Sequence, residues 1–375
     1  MSIRKKTFIF WLCASFFAGL IIMGAICATI MHSPGYKLNS DDKLSEIKGY
    51  IDQYYLNDYD EKDLAEGVYE GYVAGLGDPY SAYMDKETYD SWMVSATGNY
   101  SGVGITFSEN DNGSFEVVSV NPDSPAEKAD IEAGDLILMV DGKTYTDSDV
   151  MAAAIRGKKG TDVTLTMSHE GKEKEVKLTR DDIIMKSVDW KMLDDGIGYI
   201  EINSFIDTTG KDFSDALDKV EAEGARGLVL DLRNNGGGLV DECVDVADEF
   251  LDEGVVCYVE DKDGQTETYD AKDGKTKIPT VVLINDGSAS ASEILAGALK
   301  DNGFELVGTK SFGKGVIQQT IEMGDGSALK LTIMQYLSPD KHVIHKKGIK
   351  PTVEIEDDEK TEEDEQLEKA EELLK

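Results

Sequence analysis

Three serines, Ser288, Ser290 and Ser292, stand between an apolar run (Thr280–Ile284) and a run with helical spacing (Ile294–Leu299). A hydroxyl where a buried strand turns into a helix meets unpaired N–H groups and the positive end of the helix dipole, which together stabilise an oxyanion. Ser290 and Glu293 also fit a capping box, a role that needs no chemistry. On these residues alone the three hydroxyls compete. A nucleophile needs a base, and the chain has only four histidines, none in a setting that recommends it. The remaining candidate is Lys314, in Ser311-Phe-Gly-Lys-Gly315. An ordinary lysine titrates at about 10.4, so work as a base near neutrality requires burial to push that value down. Phe312 and Val316 could supply apolar walls. Gln318, on the same face of a strand, could hold the amine without adding a negative charge.

Two glycine-rich loops qualify this picture. Gly308 to Lys314 is nearly a phosphate-binding loop, but Gly315 stands where Ser or Thr must hold magnesium, and Val316–Ile321 reads as a strand rather than a helix. Asp231 to Leu239 closes a second apolar strand and carries Gly236, Gly237 and Gly238. A tight turn explains those glycines, and so does donation of a bare N–H to an oxyanion about 3 Å away.

The elements that must position these residues form an α/β pattern. From Ile197 onward strands (Ile197–Asn203, Gly227–Leu232, Thr280–Ile284, Phe304–Val307) alternate with helices (Phe213–Glu223, Val240–Leu251, Ala291–Leu299). Such alternation predicts crossover units on a largely parallel sheet, with ligands collecting where strands end. Val316–Ile321 and Leu329–Leu337 read as an antiparallel extension. Between Tyr100 and Leu178 the texture changes to short strands with Gly and Asp turns, including a hairpin at Asp141-Gly142. That order resembles a PDZ domain, and Ser101-Gly102-Val103-Gly104-Ile105 matches its carboxylate-binding loop. Arg156, at the end of the helix from Asp147, could sense a peptide carboxylate or simply complement the helix dipole. Residues 41–75 have the spacing of two amphipathic helices with Asp41 as a cap. After Val353 twelve acids face three lysines, which predicts an exposed acidic linker, and Leu367, Ala370 and Leu374 then mark a docking helix.

Length and charge narrow the function classes. The 375 residues allow two or three domains, and the net charge of −36 argues against nucleic acid as a partner. Four cysteines are too few for a disulfide framework at this length, and Cys243 and Cys257 are expected as buried thiols. Arg4-Lys5-Lys6 precedes an uncharged run over residues 7–31, long enough to cross a bilayer. An uncleaved anchor is favoured over a signal peptide because no good small-x-small exit follows the apolar run. The basic cluster would stay inside, leaving the rest of the chain outside the cytoplasm.

Taken together, Ser288-Ala-Ser-Ala-Ser-Glu-Ile294, Phe312-Gly-Lys-Gly-x-x-Gln-Gln319 and Asp231-Leu-Arg-x-Asn-x-Gly-Gly-Leu239 resemble the carboxy-terminal processing peptidases, or tail-specific serine proteases. Leu76-Gly-Asp-Pro-Tyr-Ser-Ala-Tyr83 and Gly348-Ile-Lys-Pro351 match as well. The resemblance implies a crotonase-like peptidase core with an inserted PDZ domain, no metal or cofactor, and protein substrates with flexible C-termini. It assigns the nucleophile to Ser290, the base to Lys314 and its orientation to Gln318. Oxyanion donors would be the N–H of Ala291 and one from Gly237 or Gly238, and a homodimer is possible. Gly236 stands where proline is common, Thr352 where aspartate is, and the Ser-to-Lys interval is about one residue short. The expected division is anchor 1–31, helical region 32–90, PDZ domain 91–179, peptidase core 180–353 and acidic tail with final helix 354–375. A catalytically silent PDZ scaffold is the alternative.

Overall fold

The computed structural model describes residues 40–110, 112–169, 171–272, 274, 276–356 and 363–375. The apolar run over residues 7–31 lies outside them, and among the described residues no helix is long and apolar enough to cross a membrane. The chain divides into two compact units, Met1–Ala65 and Glu66–Lys375.

The first unit contains α1 (Ser40–Tyr54) and the start of α2 (Glu61–Ala74), which crosses the division. α1 begins at Ser40, so Asp41 lies in its first turn instead of capping it. Lys48 and Asp52 pair across one helical turn at 2.7 Å, while Leu44, Ile47 and Tyr54 remain exposed.

The second unit holds the two sheets that build the site. After β1 (Ala82–Met84) and α3 (Lys86–Thr97), the chain enters the inserted domain through β2 (Asn99–Gly102) and leaves it through β8 (Asp181–Ile184). These two strands pair antiparallel, so the insertion is closed at its neck. Between them β3 (Ile105–Glu109), β4 (Phe115–Val120), β5 (Leu136–Val140), β6 (Asp162–His169) and β7 (Lys172–Thr179) form one antiparallel sheet in that order. α4 (Ser148–Ile155) closes its core with Met151 and Ile155. The expected Asp141-Gly142 hairpin is only a tight turn with a single bridge, Val140 to Lys143. The strand partners of β5 are β4 and β6, set by distant burial that a turn signal does not report.

The larger sheet runs β18 (Val353–Glu354), β15 (Glu305–Gly308), β14 (Thr280–Ile284), β11 (Gly227–Asp231), β10 (Ile197–Ile202), β9 (Val188–Met192). All neighbours are parallel except β9 against β10. From β10 to β15 each strand is laid beside its predecessor, always in one direction. Right-handed crossovers then put α5 (Thr209–Ala222), α6 (Val240–Asp248) and α7 (Ala291–Asp301) on a single face. The other face is left for α8 (Glu365–Leu373), whose Ala370 packs with Val229, Val281 and Leu283. Covering both faces is why β11 and β14 are buried at every position and read as unbroken apolar runs. The final helix therefore docks as expected.

A second, antiparallel sheet orders β1, β17 (Ala328–Leu337), β12 (Gly254–Asp261) and β13 (Thr266–Ala271), with β16 (Val316–Glu322) on β17. Cys243 and Cys257 are both free and buried. Thr352, in place of the common aspartate, still serves as an acceptor for the Leu306 N–H at 2.9 Å.

Candidate active site

At the end of β14 the chain turns through Asn285–Ala289 and presents Ser290 at the start of α7. This turn is sewn to the loop after β11. Asn285 Oδ1 accepts the Asn234 N–H at 2.8 Å, and the Ala289 N–H donates to the Asn235 carbonyl at 2.9 Å. Two of the competing hydroxyls are consumed in the same seam. Ser288 Oγ donates to the Leu232 carbonyl at 2.7 Å, Ser292 Oγ to the Asn235 carbonyl at 2.9 Å, and both residues have no exposed surface. Ser290 alone is half-buried, and it sits at φ 56°, ψ −117°, a conformation that L residues rarely adopt. The tertiary contacts thus choose among serines that the local pattern leaves equal.

The reach-back half of the capping box is present, with Glu293 accepting the Ser290 N–H at 3.0 Å, while the Glu293 N–H donates to the Ser290 carbonyl at 2.8 Å. That carboxylate does more. The same oxygen, Oε2, accepts the Lys314 N–H at 2.7 Å, and Oε1 accepts the Gly313 N–H at 2.7 Å and the Ser311 hydroxyl at 2.6 Å. Ser290 and Lys314 are therefore brought together through one buried side chain. From the other side the buried Tyr336 hydroxyl reaches the carbonyls of both, that of Ser290 at 3.0 Å. The Gly-Lys-Gly setting has a steric cause. A Cβ on Gly315 would lie 2.3 Å from the His345 nitrogen, and Gly313 takes φ +98°.

The Lys314 side chain is half-buried, and its ammonium lies 5.3 Å from the centre of the Tyr80 ring. Burial is the main cause that pushes its pKa below the ordinary lysine value; the nearby Lys330 charge adds to this, and Glu293 opposes it. Lys330 is itself lowered by burial. The expected walls are only half right: Val316 is buried, but Phe312 is 60% exposed and Tyr80 takes its place. Gln318 lies on β16, where its amide donates to Thr332 Oγ1 at 3.2 Å and to the Val316 carbonyl at 3.4 Å, and no bond joins it to Lys314 among the described residues.

The glycine loop approaches the serine closely. A Cβ on Gly237 would lie 2.7 Å from the Ser290 Cβ and 2.8 Å from the Ala291 nitrogen, filling the space an oxyanion would occupy. The Gly237 N–H, an expected donor, is engaged here by Asn235 Oδ1 at 2.8 Å. Gly238 bridges Phe205 through its neighbours, and neither its N–H nor that of Ala291 has an acceptor among the described residues. Arg233 anchors the loop from behind. Its guanidinium holds Asp231 at 2.6 Å and takes Asp364 by both oxygens at 2.8 and 2.9 Å, tying the loop to the start of α8.

In the inserted domain a groove of about 600 Å³ is lined by Val103, Gly104, Ile105 and Arg156. Ser101 and Gly102 belong instead to β2, paired with β8. The Val103 carbonyl accepts from Ala126 and the Gly104 carbonyl from Asn121, both at 2.9 Å. Because each trans peptide points its N–H opposite its carbonyl, the Gly104 and Ile105 N–H groups turn away from the Asn121 and Ala126 backbone. Arg156 lies 5.5 Å from the Tyr100 ring centre.

A partly exposed serine at a strand-to-helix turn, a desolvated lysine and a glycine backbone loop on a sheet with one-sided crossovers are the arrangement of a serine peptidase, here with a PDZ module. Comparison with known proteins agrees. Residues 196–355 match peptidase family S41, residues 101–179 a PDZ domain, and residues 30–88 the N-terminal domain of the activating protease CtpB. The carboxy-terminal processing protease CtpA of Bacillus subtilis is 41% identical over 84% of this chain and 69% of its own length. A CtpA-like serine protease of Staphylococcus haemolyticus is 39% identical over 90% and 71%. Among solved structures, the photosystem II D1 C-terminal processing protease superposes with TM-score 0.50 at 29% identity, over 85% of this chain and 87% of that one. An S41 protease of Bacteroides fragilis, at 18% identity and TM-score 0.53 over 81% and 86%, shares the fold. The chain belongs to peptidase family S41 and is a C-terminal processing serine protease with a PDZ domain.

Four residues around this cleft carry no catalytic signal in the sequence. Tyr80 lies in the Leu76–Tyr83 motif, which carried a resemblance but no assigned role. Tyr336 and Lys330 lie on β17 and had no local signal. Glu293 was legible only as a cap.

Proposed function

We propose that this chain is a membrane-anchored endopeptidase, with its catalytic part outside the cytoplasm, that cleaves proteins near their C-termini by a Ser290–Lys314 dyad. The observation that carries the reading is the joint placement of the two backbones on Glu293 Oε2, with Ser288 and Ser292 already committed elsewhere. Neutral Lys314 takes the proton of Ser290, and the alkoxide attacks a peptide carbonyl. The tetrahedral oxyanion meets the N–H groups of Ala291 and Gly238, or Gly237 once it leaves Asn235. Collapse breaks the C–N bond, and the Lys314 ammonium gives its proton to the leaving amine. Neutral again, Lys314 deprotonates a water whose oxygen attacks the acyl carbonyl, and its ammonium returns that proton to the Ser290 oxygen as the ester C–O bond breaks. Gln318 would orient Lys314 after turning from Thr332.

In this reading the groove beside Arg156 takes the substrate's terminal carboxylate, and the PDZ module is the insertion closed by β2 and β8; the expected boundary at residue 91 falls inside α3 (Lys86–Thr97). Residues 7–31 supply the anchor, supported by their uncharged length and the preceding basic cluster. The exposed Leu44 and Ile47 on α1 support a homodimer.

β-Casein cleavage by the purified chain tests the core of the proposal. Ser290→Ala and Lys314→Ala should each abolish it, and persistence in either refutes the dyad. Exposure of the C-terminal part to external protease on intact cells tests the topology, and protection there refutes it.

A further inference from the structure

Glu293 is an unusual carboxylate for a helix cap. It has no exposed surface, and its two oxygens accept four hydrogen bonds from the Ser290, Gly313 and Lys314 N–H groups and the Ser311 hydroxyl. Four donors fill the lone-pair sites of an ionised carboxylate and leave no room for its own proton. A cap needs only the first of these bonds. The other three reach the segment that carries Lys314, which comes from a different strand connection than Ser290.

We propose that Glu293 is the positioning residue of the dyad: its Oε2, shared between the Ser290 and Lys314 N–H groups, sets how far the nucleophile stands from its base. The inference rests on the Ser290–Lys314 reading. The geometry gives it a specific form. Gly313 and Gly315 make the 311–315 segment intrinsically loose, so a fixed Lys314 backbone requires an outside anchor. Other ties to this segment, such as the Phe312 N–H on the Ser288 carbonyl at 3.0 Å and the Lys346 N–H on the Gly313 carbonyl at 2.8 Å, do not join the two reacting residues. Tyr336 joins their carbonyls, but a hydroxyl has one proton and serves one carbonyl at a time. Glu293 serves both N–H groups at once.

Position and charge act in opposite senses. The Glu293 charge favours protonated Lys314, while burial and the Lys330 charge favour the neutral base. The other groups facing Lys314 are the Tyr80 ring and, beyond it, His345, whose ring centre lies 6.3 Å from that of Tyr80. A side chain kept for its charge effect on the base would be the wrong choice here, so its use must lie in placement.

Substitutions separate the two. Glu293→Asp keeps the charge but shortens the reach, so kcat should fall about 100-fold, the usual result of a misplacement near 1 Å. KM for a tail peptide should change little, and the acid limb of the pH–rate profile should stay where it is. Glu293→Gln keeps an acceptor oxygen but turns an amide toward two donors. Its kcat should fall by a similar factor, and its acid limb should move to lower pH, because loss of the negative charge lowers the Lys314 pKa. Melting curves report the folded fraction of each variant. A folded Glu293→Asp enzyme with wild-type kcat overturns the proposal, as does a fall in rate that only follows the folded fraction. If neither variant folds, Glu293 is a structural residue and the proposal falls. Cleavage that survives Lys314→Ala would instead strike the dyad itself, a result that these Glu293 measurements cannot mimic.

Discussion

At Lys159, on the PDZ segment, the carboxylates of Asp181 and Asp182 both lie 2.7 Å from the ammonium and raise its pKa. At Lys314, burial and the charge of Lys330 lower it. The contrast is informative in a chain of net charge −36, where an exposed lysine readily finds an acid. Lys48 and Lys177 follow Lys159. At Lys314 the fold removes a lysine from that acidic surface and places a second lysine nearby, the setting that the proposed base requires. A carboxylate close to Lys314, that of Glu293, spends its oxygens on three backbone N–H groups and the Ser311 hydroxyl and not on the ammonium. Desolvation without a salt bridge distinguishes the cleft from the surface.

This contrast can be broken in several ways. Replacing Lys314 by alanine should reduce kcat by at least about 10⁴-fold in peptide cleavage, the scale for loss of a member of a catalytic unit. Gly237→Ala should cost about 10²- to 10³-fold in kcat with KM nearly unchanged, because its Cβ occupies the oxyanion space beside Ala291. Stopped-assay kinetics on a tail peptide distinguish this from a binding defect. Lys330→Gln removes the like charge, so the Lys314 pKa rises and the acid limb moves to higher pH. The rate below that limb should fall by up to roughly tenfold, the effect of one pKa unit. Tyr80→Leu keeps an apolar wall but removes the ring that favours the ammonium, so the limb should move the other way, by less than about one unit. An acid limb insensitive to both substitutions would mean that Lys314 does not govern it. Lys159→Ala, the control from the surface, should leave the profile unchanged.

Legibility followed locality. β11 and β14 were readable because a strand buried on both faces is a run of apolar residues, and α7 because its start and its spacing are local. β9 and β13 were not picked out: β9 lies at a sheet edge, and β13, with Thr266, Glu267 and Thr268 exposed, has no apolar run to mark it. In the PDZ segment the strands were visible but their partners were not, hence the expected hairpin at Asp141 that proved to be a turn. Asn235, whose amide donates to the Ile202 carbonyl at 2.7 Å, and Asp364, which grips Arg233, act across folds of the chain and have no periodic signature.

By itself the sequence determined the chemistry available to this protein. It supplied a serine at a helix start, a lysine between glycines in place of a histidine, and a bare glycine loop, together with the α/β order that puts loops at strand ends. Only the tertiary structure decided which serine is free, since Ser288 and Ser292 are excluded by carbonyls of the loop after β11. It also decided what surrounds Lys314, because burial and the charge of Lys330 depend on chain segments far apart in sequence. Residue type sets what a group can do. Its pKa, exposure and partners depend on the neighbours that folding brings to it.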